Sequence, residues 1–520
     1  MKQCLGHGQW VVRWVPDLYF GYGYPLFNFY PPLFYILGAM IANIGAGITM
    51  AYDLSLFIIL FLSGCAMYLF ARELWGKQGG FVSATAYLFA PYHMVDLYMK
   101  AAGAETMSFI FLPLILWSFY KLQQTSLKRY IVYSALSCAG LLLTHNCTSI
   151  IFFPLVPFYI LLLFWPYSSW QRWISLMHSF LVLALGVGLA AFFWLPAFVE
   201  KKFVHVELMG QGNLNFKENF VYFKDLISPG WGNNMPYFGS PHMVSRIGIV
   251  HGLLVLIVLL GFKKIVEHNP RLNRQIFFFL AALTGSIFLT INYSMVIWEH
   301  IRVLQYLQFP FRFLTVVVLA GSVIAGGVVL WVQQEHRFKV MFVAVVLIFL
   351  TNFSYCHPRD TFPCDLRLVK TDPGKFLSVL VPQDGGDYIP IWVKNGVKGL
   401  PSSMPLQKLQ SFSKEGQVID STKRSPLRYR FMVQAQKVSI FCFNSFYFPG
   451  WTVKVDGHYV EVLTDNPWGF IIFPCPQGVH NVDIYFGTTP LRQMAKRITI
   501  GSLILLGLVF IFPFRKFNTG

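Results

Sequence analysis

Phe313-Leu-Thr-Val-Val-Val-Leu-Ala-Gly-Ser-Val-Ile-Ala-Gly-Gly-Val-Val-Leu-Trp-Val-Gln333 is a run of 21 residues without a charged side chain. Lipid offers no hydrogen-bond partner to backbone groups, so an apolar run of about 20 residues crosses a bilayer only as a helix. Similar runs recur along the 520 residues, of which 55% are hydrophobic and 12% are charged. This balance is far from that of soluble domains. The sequence therefore predicts a polytopic α-helical membrane protein.

The apolar runs predict about eleven transmembrane helices. Their approximate bounds are 51 to 72, 79 to 92, 104 to 121, 130 to 145, 148 to 166, 173 to 195, 247 to 262, 275 to 293, 313 to 333, 338 to 354 and 498 to 513. The stretch 33 to 48 is apolar but rich in Gly and bounded by Pro, which favours an interfacial helix.

The net charge of +18 comes from basic residues in short loops, which indicates topology rather than nucleic-acid binding. When sides alternate along the predicted helices, these basic residues all fall in one compartment, as the positive-inside rule expects. They are Arg72, Lys77, Lys121, Lys128, Arg129, Arg172, Lys263, Lys264, Arg271, Arg274, Arg337, Lys339, Arg515 and Lys516. We therefore expect a bacterial cytoplasmic (inner) membrane protein with a cytoplasmic C-terminus and the lipid bilayer as its partner.

The same alternation puts residues 1 to 50 outside the membrane, although no signal peptide or spanning helix precedes them. We expect either that a first transmembrane helix belongs upstream of Met1 or that the N-terminus is translocated unaided.

Residues 355 to 497 have a different composition, with more charged, Gly and Pro residues. Alternating runs such as Lys437-Val-Ser-Ile-Phe-Cys-Phe and Trp451-Thr-Val-Lys-Val are typical of strands. Asp456-Gly457 is a hairpin-turn signal. The sequence predicts an extracytoplasmic β-sandwich-like domain at roughly 365 to 490.

Four of the eight cysteines, Cys356, Cys364, Cys442 and Cys475, lie in this outer segment, where an oxidising compartment permits disulfides. Free buried thiols are an equal alternative. The sequence contains no CxxC motif and no Cys/His spacing typical of a metal site. It indicates no cofactor and leaves a divalent metal undecided.

Several motifs together resemble the YfhO-like bacterial membrane proteins, including those called 6-pyruvoyl-tetrahydropterin synthase-related, within the GT-C glycosyltransferase-like group. The motifs run from Arg13 to Leu33, from Ala90 to Lys100 and on to Glu105, through Thr144-His-Asn146, from Gln308 to Leu314 and from Tyr447 to Gly457. The chain lacks the zinc-binding histidine pattern of soluble pterin synthases, so the resemblance does not imply that activity.

The resemblance implies a GT-C-like transmembrane domain at 1 to 354, the strand-rich domain at 355 to 497, and a final helix with a cytoplasmic tail at 498 to 520. It also implies transfer of a sugar from a polyprenyl-phosphate carrier to an envelope glycan or lipid acceptor on the outer side. Such a reaction needs a carboxylate as general base and polar or basic groups to stabilise the leaving phosphate. In this group the base commonly follows the first transmembrane helix, a position that would precede Met1 here.

Three carboxylates remain as catalytic candidates: Asp17, Asp96 and Glu105. Each has a structural alternative. Asp17 follows Pro16 and is equally well explained as a turn residue. Asp96 is four residues before Lys100, which also favours a simple ion pair, and Glu105 also suits the start of a helix.

Five residues are candidates for substrate binding: Lys100, His93, Arg312, Arg13 and His145. An arginine such as Arg312 binds phosphate through two hydrogen bonds, but it also snorkels to lipid headgroups. His145 is more typical of a C-terminal helix cap than of a binding residue. A lone interfacial histidine such as His93 is more often an amphipathic anchor.

The alternative function is a non-catalytic membrane scaffold, or an assembly protein whose outer domain binds a glycan. Transport is disfavoured, because the predicted helix centres hold almost no ionisable residues.

Overall fold

The computed structural model describes residues 1–520 except 126, 167, 211, 228–245, 357–387, 395–406, 414 and 512–520. The chain forms two compact units. The sheet unit comprises Met1–Ile44, Ala191–Met209 and Phe362–Arg497, and the helical unit comprises Gly45–Ala190, Gly210–Thr361 and Ile498–Gly520. The three-domain division drawn from composition stays a prediction.

Most of the described chain is helical. The α-helices are α1 Lys2–Gly6, α2 Leu26–Phe29, α3 Leu33–Asn43, α4 Ile48–Leu88, α5 Pro91–Tyr98, α6 Gly103–Thr125, α7 Lys128–Leu142, α8 Asn146–Phe152, α9 Leu155–Phe164, α10 Ser169–Leu189, α11 Ala191–Glu200, α12 Phe223–Ile227, α13 Ile249–Leu260, α14 Phe262–His268, α15 Arg271–Thr290, α16 Met295–His300, α17 Arg302–Gln305, α18 Leu314–Ala325, α19 Arg337–Asn352 and α20 Pro490–Ile511. Short 3₁₀ helices occupy Lys201–Phe203, Val206–Gly210, Gly212–Leu214, Phe216–Glu218, Asn292–Ser294, Pro310–Phe313, Gly326–Trp331, Gln334–His336 and Phe353–Tyr355.

Seven helical stretches of the described residues are long and apolar enough to cross a membrane. They are Ile48–Leu88, Gly103–Thr125, Asn146–Phe164, Trp170–Leu189, Arg271–Thr290, Pro310–Trp331 and Gln334–Tyr355. The predicted segments at 130 to 145, 247 to 262 and 498 to 513 coincide with helices α7, α13 and α20. A helical chain with several candidate spans is therefore confirmed, whereas the count of eleven and the topology stay predictions.

The first two predicted segments lie in α4, a range of 41 residues in which two helices meet at a kink. Gly76 forms the kink with φ 76° and ψ −178°, a backbone conformation that only glycine adopts readily. The predicted boundary between the two segments therefore falls at this kink.

Within the described residues, eight strands form the sheets: β1 Leu409–Ser411, β2 Gly416–Ser425, β3 Arg428–Ala435, β4 Ser439–Phe446, β5 Trp451–Val455, β6 His458–Val460, β7 Phe470–Cys475 and β8 Gly478–Phe486. All pairs are antiparallel, in a three-stranded sheet β1-β4-β7 and a five-stranded sheet β2-β3-β8-β5-β6. Asp456 and Gly457 join β5 to β6 with φ of 47° and 85°, as a type I′ hairpin turn requires. The predicted turn is confirmed.

Aromatic side chains pack the two sheets face to face. The ring of Phe443 in β4 lies 6.2 Å from that of Phe431 in β3 and 5.4 Å from that of Trp451 in β5. Trp14, from the N-terminal segment, is fully buried in this core and lies 5.8 Å from Trp451. The apolar and aromatic N-terminal motif therefore contributes to the core of the sheet unit.

The cysteines of residues 355 to 497 are free thiols wherever the structure describes them. Cys442 and Cys475 are buried and Cys356 is half-buried, and none forms a disulfide. Of the two alternatives, free thiols are therefore found at these three positions. Cys364 lies outside the described residues, as do Arg515 and Lys516.

Candidate functional site

The turn between α5 and α6 brings two carboxylates and an ammonium group together. Helix α5 ends with Lys100 N–H donating to the carbonyl of Val95 at 2.9 Å. Ala101 then adopts φ 46°, a left-handed conformation that is uncommon for a residue with a Cβ. This reversal places Asp96 at the end of α5 next to Glu105 in the first turn of α6.

Lys100 bridges both acids. Its Nζ lies 2.5 Å from Asp96 Oδ1 and 2.7 Å from Glu105 Oε2. The three side chains are 9%, 0% and 3% exposed, so water screens these charges poorly. The predicted ion pair between Asp96 and Lys100 is therefore present, but as part of a buried three-residue cluster, which we call the acid cluster.

Tyr92 completes the acid cluster. Its hydroxyl donates to Glu105 Oε1 at 2.9 Å and accepts a hydrogen bond from Lys100 Nζ at 3.3 Å. The ammonium also lies 5.0 Å from the centre of the Tyr92 ring. Sequence reasoning missed this residue, although Tyr92 is four residues before Asp96 and so shares its helix face.

The two carboxylates differ in how many of their oxygens accept a hydrogen bond. Both oxygens of Glu105 accept hydrogen bonds, whereas Asp96 Oδ2 is buried without a partner among the described residues. Burial, together with the charge of Glu105, raises the pKa of Asp96 from 3.8 to about 8. Burial lowers the pKa of Lys100, but the two carboxylates raise it more, so the ammonium stays charged. One cation thus faces two acids, and Asp96 is the acid whose pKa is raised toward neutrality.

Arg312 is the second cation of this region. It follows Gln308, whose φ of 63° again marks a reversed backbone. Its Nη1 donates to the carbonyl of Leu307 at 2.6 Å and contacts Cys147 Sγ at 3.0 Å. The positive charge of Arg312 partly offsets the rise in the pKa of Asp96, so the guanidinium interacts electrostatically with the acid cluster.

His145 begins helix α8. Its Nδ1 accepts from the backbone N–H of Thr148 at 3.4 Å and lies 2.8 Å from the Thr148 hydroxyl. The predicted helix cap therefore exists, but at a helix start rather than at a helix end, because α7 already closes at Leu143. His145 also interacts electrostatically with Glu105.

His93 is completely buried and uncharged. Its Nδ1 donates to the carbonyl of Tyr87 at 3.0 Å, and its ring stacks on Phe109 at 4.0 Å. Burial lowers its pKa to about 4. A neutral imidazole in this position offers a hydrogen bond, not a positive charge, to any ligand.

Arg13 and Asp17 belong to the sheet unit. Asp17 is exposed in the turn after Pro16, as its structural alternative expects. Arg13 is buried and donates to Asn28 Oδ1 at 3.0 Å. Burial is the main cause that lowers its pKa to about 10.

No group of three or more His, Cys, Asp or Glu side chains with metal-site geometry occurs in the part of the chain that the structure describes. The acid cluster pairs its two carboxylates with the ammonium group of Lys100.

Comparison with known proteins gives two matches. A family model described as "6-pyruvoyl-tetrahydropterin synthase related domain; membrane protein" matches residues 27–357. An "uncharacterized protein" of Lactococcus lactis subsp. cremoris (strain MG1363) is 24% identical over 272 residues, which cover 50% of this chain and 44% of that protein. The match thus spans less than half the length of this relative. The family model includes every residue of the acid cluster, as well as Arg312.

Proposed function

This chain belongs to the 6-pyruvoyl-tetrahydropterin synthase related family of membrane proteins, and we propose that it is a GT-C-type glycosyltransferase. The reaction is transfer of a sugar from a polyprenyl-phosphate carrier to a glycan or lipid acceptor on the outer side of the inner membrane. The acid cluster is its catalytic centre. In this proposal the C-terminus is cytoplasmic and the sheets are extracytoplasmic.

Asp96 is the general base. Its carboxylate takes the proton of the acceptor hydroxyl while the acceptor oxygen forms a bond to the anomeric carbon of the sugar. The bond from that carbon to the carrier phosphate breaks, and its electron pair leaves with the phosphate. A base works best when its pKa is near the working pH, and Asp96 with a pKa of about 8 meets this condition.

Lys100 and Arg312 stabilise the phosphate as negative charge develops on it. Arginine offers phosphate a planar pair of donors, and Lys100 offers a point charge. Glu105 and Tyr92 are positioning residues: they hold the Lys100 ammonium beside Asp96 through contacts of 2.7 Å and 3.3 Å.

The single observation that carries the proposal is the unequal treatment of the two acids. A structural ion cluster gains most when every buried oxygen is paired, since an unpaired buried polar atom is costly. Asp96 Oδ2 is unpaired and buried. An oxygen of this kind, on a carboxyl group of raised pKa, is typical of a functional site.

The test is a gene deletion followed by mass spectrometry of lipid-linked sugars and surface glycans. The deletion strain is complemented with the wild type, with Asp96→Asn and with Asp53→Asn. Asp53 is an exposed acid in α4, so Asp53→Asn makes the same chemical change outside the acid cluster. The membrane level of each variant is measured in parallel.

We expect one sugar modification to disappear in the deletion strain, with its lipid-linked donor accumulating. The wild type and Asp53→Asn restore it, whereas Asp96→Asn, at equal membrane level, does not. An unchanged glycan profile in the deletion strain, or full complementation by Asp96→Asn, would overturn the proposal.

The alternative is a membrane scaffold or glycan-binding assembly protein. It is favoured by the burial of Asp96 and Glu105, which are 0% and 2% exposed, as in a structural clamp. In that case Asp96→Asn lowers the melting temperature and membrane level, and no lipid-linked donor accumulates in the deletion strain.

A further inference from the structure

A second polar site lies in the helical unit, far from the acid cluster. A cavity of about 870 Å³ is lined by the end of α6, the starts of α10 and α15, and Glu73 of α4. Its volume is within the range of small-molecule sites. Gln123 on its wall is 18 residues after Glu105 along α6, which corresponds to about 27 Å of helix. The cavity is therefore a separate site.

The cavity wall carries uncompensated positive charge. Glu73 is already paired with Lys121, whose Nζ lies 3.1 Å from its Oε2. Arg271 and Arg274 also line the cavity. Among the described residues, neither guanidinium group forms an ion pair or a side-chain hydrogen bond. Two arginines face a cavity whose lining acid, Glu73, is paired with Lys121, and this favours an anionic ligand.

The backbone adds to this preference. Helices α10 and α15, of 21 and 20 residues, both begin at the cavity. The positive ends of both helix dipoles attract anions, although the Arg271 N–H at the start of α15 already donates to Asn269 Oδ1 at 3.1 Å. Two helix starts and two arginines thus act in the same direction.

Amide side chains complete the lining, with Gln123, Gln124, Gln171 and Gln275 all on the wall. Gln275 is only 6% exposed, and its Oε1 atom makes no hydrogen bond within the described residues. A buried amide with an unsatisfied oxygen at a cavity wall is poised for a ligand that carries hydroxyl as well as anionic groups.

We propose that this cavity binds the phosphate group of an anionic ligand that enters from the predicted cytoplasmic side. The basic residues around it are those that the positive-inside pattern puts in the cytoplasm. The phosphate belongs either to the headgroup of an anionic phospholipid or to a soluble phosphorylated molecule. The proposal does not depend on the glycosyltransferase reaction, because no acid-cluster residue takes part.

The test compares the full-length wild type with R271Q/R274Q and with the control R337Q/K339Q. The control removes the same charge from the same predicted side, at residues that do not line the cavity. Inorganic pyrophosphate is titrated in detergent with thermal unfolding as the readout. Phosphatidylglycerol retained from nanodiscs of fixed composition is counted by native mass spectrometry.

If the ligand is a soluble phosphorylated molecule, pyrophosphate should raise the melting temperatures of the wild type and of the control R337Q/K339Q. The affinity of R271Q/R274Q then falls by about tenfold or more, since charge-assisted hydrogen bonds to phosphate are lost. A lipid source predicts no pyrophosphate effect, and a loss of retained phosphatidylglycerol in R271Q/R274Q alone. If the pyrophosphate-induced shift in melting temperature and the amount of retained phosphatidylglycerol are both the same for the three proteins, the proposal is wrong.

A second variant guards against a folding defect in the double mutant. Gln171→Glu places a negative charge at an exposed position of the cavity wall. This variant is expected to weaken phosphate binding, because the new carboxylate repels the anion. Its size-exclusion elution profile should stay unchanged. Unchanged binding in this variant together with misfolding of R271Q/R274Q would also overturn the proposal.

Discussion

Arg492 Nη2 lies 3.0 Å from Glu200 Oε2, and both side chains are 2% exposed. Asn28 Nδ2 donates to the same oxygen at 2.8 Å, and the Thr489 hydroxyl lies 3.3 Å from Oε1. The Glu200 carboxylate therefore joins three segments of the sheet unit that are far apart along the chain. A buried charge with this many partners has a large effect when one partner is lost.

Removal of one member of this pair is expected to destabilise the sheet unit strongly. Glu200→Leu leaves the Arg492 charge buried and uncompensated, at a cost of roughly 3 to 5 kcal/mol. The double variant Glu200→Leu/Arg492→Met removes both charges and recovers much of that loss. Thermal unfolding in detergent measures both. The control is Arg430→Met, which breaks a partly exposed ion pair with Asp483 and is expected to lower the melting temperature less than Glu200→Leu. Equal losses in all three variants would contradict this prediction.

Asp96 gives the stability of the protein a specific pH dependence. Its pKa is about 8 in the folded chain against an ordinary value of 3.8. Between these values the unfolded chain releases the proton while the folded chain keeps it. The contribution of Asp96 is therefore complete below about pH 4, falls as the pH rises, and is gone above about pH 8.

Asp96→Asn removes this titration. The melting temperature of the wild type should therefore fall relative to that of Asp96→Asn as the pH rises from 5 to about 8. Asp53→Asn provides the control and should follow the wild type at every pH. A difference between wild type and Asp96→Asn that is constant with pH would show that the pKa of Asp96 is not raised.

Tyr92→Phe tests the positioning of the acid cluster. The change removes a hydrogen bond to a charged group, worth about 1.5 to 3 kcal/mol. We expect sugar transfer to fall by roughly tenfold to a hundredfold. Tyr87→Phe is the matched control, because the Tyr87 hydroxyl is also buried but donates to the carbonyl of Phe109 at 2.9 Å. Similar melting temperatures with unequal transfer rates, measured in isolated membranes, would support the proposed role. Equal rates would exclude it.

Gly76→Ala is expected to destabilise the break in α4. No atom lies within 4 Å of the position that a Cβ would occupy, so the cost is purely conformational. A non-glycine residue in this backbone region costs about 1 to 3 kcal/mol. Gly252→Ala is the control, since Gly252 is helical with equally open surroundings and its replacement should be neutral or stabilising. Thermal unfolding measures the stability of both variants. An unchanged melting temperature for Gly76→Ala would contradict the predicted backbone strain at position 76.

The predicted outer carboxylates illustrate the reach of sequence reasoning. Asp96, Lys100 and Glu105 lie within ten residues of one another, and helical spacing already indicates an ion pair between the first two. Arg312 and His145 come from distant segments, and they became candidates because they lie in motifs that carry the family resemblance. Asp17, by contrast, is an exposed turn residue, because a Pro-Asp pair is compatible with many local structures.

Local patterns were sufficient for several elements. The apolar runs predicted helices at their positions, and Asp456-Gly457 predicted a hairpin, because hydrophobic length and left-handed backbone preference are properties of short segments. The helix positions and the hairpin were therefore determined by the sequence alone. The positive-inside pattern likewise needs only the order of residues, and the topology that it indicates stays a prediction.

Tertiary structure decided the rest. Which oxygen of the acid cluster remains unpaired depends on how α5 and α6 meet, and the partner of Glu200 is 292 residues away. Hydrogen bonds and burial between distant segments leave no periodic signal, since each requires only that two side chains meet in the folded chain. The raised pKa of Asp96, a carboxyl group that is buried beside a second acid, therefore emerges only from the packed structure.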